Sequence, residues 1–408
     1  MPNRDFPRHP ATSRAIPCRA GSTPTMGHTR RVTEAREPAG EAPGTSAAGR
    51  PPVPWVLHVD LDQFIAAVEV LRRPELAGLP VIVGGRGDPT ERAVVSTASY
   101  EAREFGARSG MPLRIAARKC PQAVILPVDA PTYLAASEQV MATLREHAVV
   151  QVLGWDEAFL GVRTDDPVGT ARQIQAAVLA ATRLHCSIGI GDTTVRAKNA
   201  TDFGKPRGVF TLTADNWLEV MGERPTIALW GVGAKVSGRL AAHGIVTVRA
   251  LAAAQLDVLT AEFGPRMGGW YRDLGRGEGS REVDPTPWVP RGHGHETTYQ
   301  QDLVERSEIL AAVATLAEQV VEDITAEGRP AVRLRLKIRY APFFTVTRSR
   351  KLPRATADRA QIVGAAVALA DDRIEPDRPI RLLGVHAEMT PPDDAGPAAR
   401  IADRGGCT

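Results

Sequence analysis

Apolar and polar positions fall into distinct blocks along this chain, and each block predicts an element. Trp55 to Val59 is an apolar run of the kind that forms a buried strand, and it runs directly into Asp60-Leu61-Asp62. In the following FIAAVEVLRRPEL, Phe64, Ala67, Val68 and Leu71 recur at helical spacing. Leu79 to Val83 reads as a strand, residues 84–88 as a glycine turn, and Val94 to Thr97 as a second strand. Tyr100 and Arg103 then lie three apart, on one face of a helical turn. Residues 149–162, VVQVLGWDEAFLGV, form an apolar strand that is interrupted by Asp156-Glu157 and resumes at Ala158. Strand alternation sends those two acids to opposite sides unless the chain bends or bulges there. HCSIGIG, residues 185–191, is a further strand; a helix carrying Lys198 follows and closes at Lys205-Pro206.

From Leu229 the texture changes to short helices and glycine turns. The turn at Gly231 and Gly233, followed by AKVSGRLAAHGI with Lys235, has the form of a helix-hairpin-helix. Backbone N–H groups at such a helix start hold a DNA phosphate without reading sequence; a plain helical turn gives the same pattern. Residues 281–295 carry Pro and Gly without periodicity and read as a linker. SEILAAVATLAEQVVEDITAEG predicts an amphipathic helix. In AVRLRLKIRY, Arg333, Arg335, Lys337 and Arg339 share one strand face, and Leu334, Leu336, Ile338 and Tyr340 share the other. Arg348 follows on a neighbouring strand, and the last strand is Arg381 to Met389.

A length of 408 residues predicts two to four domains, and 43% hydrophobic with 24% charged residues is ordinary for a soluble globular chain. No apolar run approaches the roughly 20 residues of a membrane helix. The start, MPNRDFPRHP, lacks the apolar core of a secretory signal. Cys18, Cys120, Cys186 and Cys407 form no C-x-x-C pair, so neither a disulfide framework nor a zinc site is indicated, and a cytoplasmic location fits. Residues 1–52 are too poor in apolar positions to offset their ordering entropy and are expected to be disordered. They are either a basic arm touching nucleic acid or the product of a start assigned upstream of Met26. The net charge is only +3, so any polyanion partner must be argued from where charge is concentrated. Six lysines stand against 44 arginines, which singles out Lys198, Lys205 and Lys235.

Two concentrations carry chemistry. Asp60, Asp156 and Glu157 lie on two strand-like segments that one sheet can bring together. Burying ionised carboxylates costs several kcal/mol or more unless a cation meets them, and oxygen-only donors suit Mg²⁺ or Mn²⁺. The row from Arg333 to Arg339 places four like charges on one face, which suits a phosphate backbone.

Taken together, HVDLDQFIAAVE, STASYEAREFGARSGMP, WDEAFL, RAKNATDFGKPRG, LWGVGAK and RLLGV resemble the Y-family lesion-bypass DNA polymerases of the DinB type over about residues 53–390. The resemblance implies an α+β multidomain right hand. Its parts are a ferredoxin-like palm (53–63 and 129–209), small fingers (64–128), a helical thumb with the hairpin motif (210–280), the linker, and an α+β little finger (296–390), ahead of a tail at 391–408. It implies low-fidelity, template-directed extension of a primer 3′-hydroxyl by two-metal phosphoryl transfer. Asp60, Asp156 and Glu157 would hold two Mg²⁺ ions (or Mn²⁺) with the Leu61 carbonyl, and Asp62 would support them. Tyr100, Arg103 and Lys198 would grip the triphosphate, with Thr97 as a further donor. Gly231, Gly233, Lys235, the four cations of the basic strand and Arg348 would hold DNA. The implied partners of this monomer are primer-template DNA and nucleoside triphosphates. The tail lacks the glutamine-led hydrophobic peptide of clamp-binding relatives, which leaves a sliding clamp open.

Three positions depart from the family pattern. Gly154-Trp155 stand where a serine usually begins the Ser-x-Asp-Glu turn, and Thr193-Thr194 replace an Asn-Lys pair. Ile65 stands where an aromatic ring normally blocks the 2′-hydroxyl of a ribonucleotide, so weakened ribonucleotide exclusion is expected. Two other readings compete with this one: a catalytically inactive relative serving as a scaffold at damaged DNA, and a palm-type nucleotide cyclase. Neither needs all of these motifs at once.

Overall fold

The computed structural model describes residues 54–375 and 378–392, so the expectations for residues 1–52 and for the tail beyond 392 lie outside the described residues. In chain order the first part comprises β1 (Pro54–Leu61), α1 (Phe64–Arg72), β2 (Val81–Gly84), β3 (Val95–Ala98), α2 (Tyr100–Glu104), α3 (Leu113–Lys119) and β4 (Val124–Leu126). It continues with α4 (Ala130–Arg145), β5 (Val149–Val152), β6 (Glu157–Arg163), α5 (Pro167–Thr182), β7 (Cys186–Gly191), α6 (Thr194–Gly204) and β8 (Val209–Leu212).

The palm sheet has the order β5-β6-β1-β7-β8, which puts β1 in the middle. A central strand is covered on both faces, which is why Trp55–Val59 is apolar at every position but His58. Leu57, Val59 and Leu61 face a core with Tyr133 and Val140 of α4 and Ile174 and Val178 of α5. The opposite face carries His58 and Asp60 towards α6. Gly189 and Gly191 let that helix lie close: a Cβ on Gly189 would strike the Ala197 carbonyl, and one on Gly191 the Ala197 amide. A separate three-stranded sheet, β3-β2-β4, packs Ile82, Val95 and Ala98 against Ala102, Leu113 and Ala116.

Next come α7 (Trp217–Val220), α8 (Ala234–Ala242), α9 (Val248–Ala253), α10 (Leu256–Phe263) and α11 (Pro265–Gly275). They close on Trp217, Leu240, Leu251, Leu259 and Leu274, and that core takes in Val195 and Ala200 of α6. The last part comprises β9 (Gly292–Leu303), α12 (Arg306–Glu327), β10 (Ala331–Tyr340), β11 (Phe344–Thr356), α13 (Arg359–Arg373) and β12 (Ile380–Met389). Its sheet runs β11-β10-β12-β9, and its core joins Val313, Val320 and Ile324 of α12 and Ile362 and Leu369 of α13 to Leu334, Leu336 and Ile338.

Two sequence expectations need correction. Strand β8 pairs with β7 through Leu212, so the palm sheet extends past residue 209 into what was expected to be thumb. The expected linker 281–295 ends early, because β9 begins at Gly292. That strand is an edge, half-exposed along its length, and GHGHETTY has no apolar alternation by which to recognise it. Arg348 is on the strand next to β10, as expected, and there it pairs with Leu336, on the other side of the sheet from the row of four cations. No helix among the described residues is long and apolar enough to cross a membrane.

Candidate active site

Pairing across the palm sheet brings the acids together. In the β1–β6 register Asp60 is opposite Glu157 and His58 is opposite Phe159, so all four side chains share one face. Asp156 sits in the bend before β6; its carbonyl accepts the Leu61 N–H at 2.9 Å, and the Glu157 carbonyl accepts from Leu153 at 3.0 Å. This bend breaks the alternation that would otherwise send Asp156 through the sheet. Burial and the charges of Asp60 and Glu157 together push the Asp156 carboxyl above the usual carboxylate range. The Glu157 carboxyl is instead held down to about 2 by the adjacent His58 ring and the Lys198 ammonium, which outweigh burial. Burial in turn pushes the His58 imidazole below its ordinary value.

Two lysines serve as counterions. Lys205 Nζ lies 2.7 Å from Asp60 Oδ1, and Lys198 Nζ donates to Glu157 Oε2. Both are on or just after α6, on the turns that face β1. Among the described residues, no three Asp, Glu, His or Cys side chains enclose an ion in this arrangement. The donor chemistry nevertheless fits a divalent cation: three carboxylates face two ammonium groups, which leaves negative charge in excess. A cleft of about 200 Å³ opens beside them, lined by Asp60, Lys198, Asn199 and Asp202 and, across from these, by Ile227 to Trp230. The Asn199 amide oxygen accepts the Trp230 N–H at 3.1 Å and so ties α6 to the start of the helical part.

Asp62 has partners of its own. Its carboxylate is 4% exposed and accepts from Tyr100 Oη at 2.8 Å, Ser187 Oγ at 2.9 Å and the Arg207 N–H at 2.9 Å. That agrees with a supporting role. It also means the Tyr100 hydroxyl, expected to grip a triphosphate, is engaged with Asp62. Burial and that carboxylate push its pKa up. Arg103 donates to the Ala98 carbonyl at 2.9 Å, and its guanidinium lies 5.0 Å from the Tyr100 ring centre. Thr97 is on β3 opposite Val83, half-buried, and Ile65 is half-buried in the first turn of α1 against the palm core. The preceding Gln63 takes a left-handed φ of 45°, and its Oε1 accepts the Tyr100 N–H at 2.5 Å.

The outlying basic sites have their own structure. Gly233 caps α8, Lys235 is exposed in its first turn, and Gly231 has a φ of 87° that other residues avoid. On β10 the cations alternate with buried Leu334, Leu336 and Ile338 as expected. Their mutual repulsion is offset in a way strand periodicity cannot show. Glu388 pairs with both Arg333 and Arg335 at 3.1 Å, and Glu296 pairs with Lys337 at 2.6 Å.

Sequence reasoning missed His58, Thr201 and Gln63 and assigned Lys205 no role. Lysine scarcity had marked Lys205. A histidine inside an apolar strand carried no comparable signal, because its importance lies in what the neighbouring strand and helix bring to it.

Residues 59–202 match the profile of the impB/mucB/samB family, and residues 290–397 match its C-terminal domain. The chain is 50% identical over 340 residues to a protein of Mycobacterium tuberculosis named DNA polymerase IV 2, covering 82% of this chain and 98% of that protein. It is 38% identical over 342 residues to the DNA polymerase IV of Methanoculleus marisnigri, covering 82% and 94%. Among solved structures, a Dbh–Dpo4–Dbh Y-family DNA polymerase chimera superposes with a TM-score of 0.74 at 22% identity, over 82% of this chain and 98% of that one.

Proposed function

Because this chain belongs to the impB/mucB/samB family, as a DinB-type member of the Y-family polymerases, we propose that it is a lesion-bypass DNA polymerase whose nucleotidyl transfer is carried by Asp60, Asp156 and Glu157. The observation that carries the assignment is the cross-strand pairing of Asp60 with Glu157, with Asp156 turned towards them by the bend. The family is dependent on divalent metal, and Mg²⁺, with Mn²⁺ as a substitute, suits this oxygen donor set. When bound, two such ions supply positive charge at the primer 3′-oxygen and at the departing pyrophosphate.

The residues of the chain do the rest. The three carboxylates and the Leu61 carbonyl form the anionic seat. Lys198 and Lys205 offset part of the charge of that seat before substrate arrives and would be released as other cations take their place. Lys198 then turns to the triphosphate, together with Arg103, Tyr100 and Thr97, as Asp62 holds Tyr100 from behind. Ile65, below the incoming sugar, leaves room that an aromatic ring would fill, so ribonucleotides are excluded weakly. Gly231, Gly233 and Lys235, with the β10 cations, hold primer-template DNA by its backbone, and the enzyme acts as a cytoplasmic monomer. An inactive scaffold is not favoured, since neither the acids nor their lysine counterions have been lost.

Mg²⁺-dependent primer extension tests the assignment. Asp156→Ala is expected to abolish extension and leave primer-template affinity intact; extension at wild-type rates by that variant would overturn the reading.

A further inference from the structure

His58 is fully buried, two residues before Asp60 on β1, and the functional reading above gives it no work. Its Nδ1 lies 2.8 Å from Thr201 Oγ1 on α6. Its other nitrogen, Nε2, has no hydrogen-bond partner and points at Glu157 Oε2 from 3.5 Å, at the outer limit of such a bond. The ring is fixed by Phe159, whose edge meets it at 5.2 Å and 68°. Lys198 engages the same Oε2. A buried polar nitrogen without a partner is uncommon, and here it faces the carboxylate central to the reaction.

The tautomer follows from the carboxylate, because the Glu157 Oε2 that Nε2 faces can only accept. Thr201 has one proton and three acceptors within reach: His58 Nδ1 at 2.8 Å, the Ala197 carbonyl at 3.1 Å and the His58 carbonyl at 3.3 Å. A ring proton on Nε2, directed at Glu157 Oε2, leaves Nδ1 to accept from the Thr201 hydroxyl. A ring in that tautomer is a donor in reserve. While Lys198 holds Oε2, the donor stays 3.5 Å away, at the limit of a hydrogen bond; once Lys198 leaves, the carboxylate closes the gap with a shift of about half an ångström.

We propose that His58 is the positioning residue for Glu157: set by Thr201, it takes over the Oε2 contact when Lys198 transfers to the triphosphate and so keeps the carboxylate in its ligating orientation. This rests on the assignment of Glu157 and Lys198 made above. Side chains that orient metal ligands from behind typically contribute about 10–100-fold to metal affinity or activity.

The test compares His58→Phe, His58→Gln, His58→Asn and Thr201→Val in the full chain with a 3′-deoxy primer-template and a non-hydrolysable dNTP analogue. Mn²⁺ binding is read by electron paramagnetic resonance, and kcat and KM are read separately on an extendable primer. His58→Phe, which keeps the bulk and loses the donor, is expected to weaken Mn²⁺ binding and lower kcat about tenfold or more, with KM for dNTP nearly unchanged. His58→Gln, whose amide nitrogen reaches the Nε2 position, restores most of both; His58→Asn, which reaches only the Nδ1 position, does not. Thr201→Val weakens binding in the same direction, and it reports on the proposal even if His58→Phe fails to fold. Wild-type Mn²⁺ binding in His58→Phe, or equal loss in His58→Phe and His58→Gln at matched thermal stability, would overturn the proposal. Asp156→Ala run alongside separates the two readings: an active Asp156→Ala means the site itself is misassigned, whereas a dead one beside an unaffected His58→Phe removes only the role of His58.

Discussion

Asp62 distinguishes a strut from a ligand, and its replacement by Asn gives a quantitative test. The carboxylate accepts three hydrogen bonds while almost wholly buried: Tyr100 Oη and Ser187 Oγ on Oδ1, and the Arg207 N–H on Oδ2. Asparagine has one acceptor atom. With its oxygen kept towards Tyr100 and Ser187, its amide opposes the Arg207 N–H, donor against donor; flipped, it accepts from Arg207 but must donate to the two hydroxyls, and all three bonds lose their charged acceptor. A hydrogen bond to a charged acceptor contributes about 1.5–3 kcal/mol, so Asp62→Asn is expected to cost about 2–3 kcal/mol. At about 2–4 °C per kcal/mol that lowers the melting midpoint by about 4–12 °C. Tyr100→Phe removes one of the same bonds, so the double variant should fall short of the sum by about 1 kcal/mol or more, as for residues in one network. Thermal unfolding of the four proteins gives this cycle, and primer extension at saturating dNTP is measured beside it. The strut predicts extension that is retained at high dNTP with a raised KM, because the fingers side chains are less firmly held. Extension abolished at every dNTP concentration, with melting unchanged, would refute the reasoning and make Asp62 a ligand.

Other outcomes follow from single contacts. Ile65→Phe should lower ribonucleotide insertion at least about tenfold while dNTP insertion stays within a few-fold, since a clash introduced against one substrate is what discriminates; equally strong ribonucleotide rejection by both proteins in single-nucleotide insertion assays would sink the idea. Glu388→Gln releases Arg333 and Arg335 from their shared partner. Its duplex affinity at low salt should therefore rise, and the slope of log K against log salt should steepen by about 1–2. Gly154→Ser should fold within about 0.5 kcal/mol of wild type and extend primers at least as well. A Cβ there meets Glu157 Cγ at 3.6 Å and Asp156 Oδ1 at 3.8 Å, which is ordinary contact; loss of activity would show that the glycine is required by the turn.

Much of the fold and the centre of the site could be read from residue order. Period-2 alternation in AVRLRLKIRY and the period of the helix at 306–327 reflect one-sided burial, which leaves its mark in local composition. Asp60 and the Asp156-Glu157 pair were conspicuous because charge interrupts apolar strands where burial would otherwise forbid it. Weaker marks failed at particular elements. β9 is polar on both faces because it is an edge strand, so its start was taken for linker. β8 is short, and only its pairing with β7 assigns it to the palm sheet.

What residue order determined by itself was therefore the chemistry available: which acids, which lysines and which cationic row the chain carries, and the family to which the motifs belong. What tertiary structure decided was pairing. Only the β1–β6 register sets Asp60 against Glu157, and only the close approach of α6 over Gly189 and Gly191 brings Lys198 to Glu157 and Thr201 to His58. Glu388 beside Arg333 and Arg335, and Asp62 beneath Tyr100, belong to the same class. Each of these pairs is separated by 38 to 143 residues in the chain. Burial leaves a local signature because it acts on one residue at a time; a contact between distant residues exists only once the backbone has closed the distance.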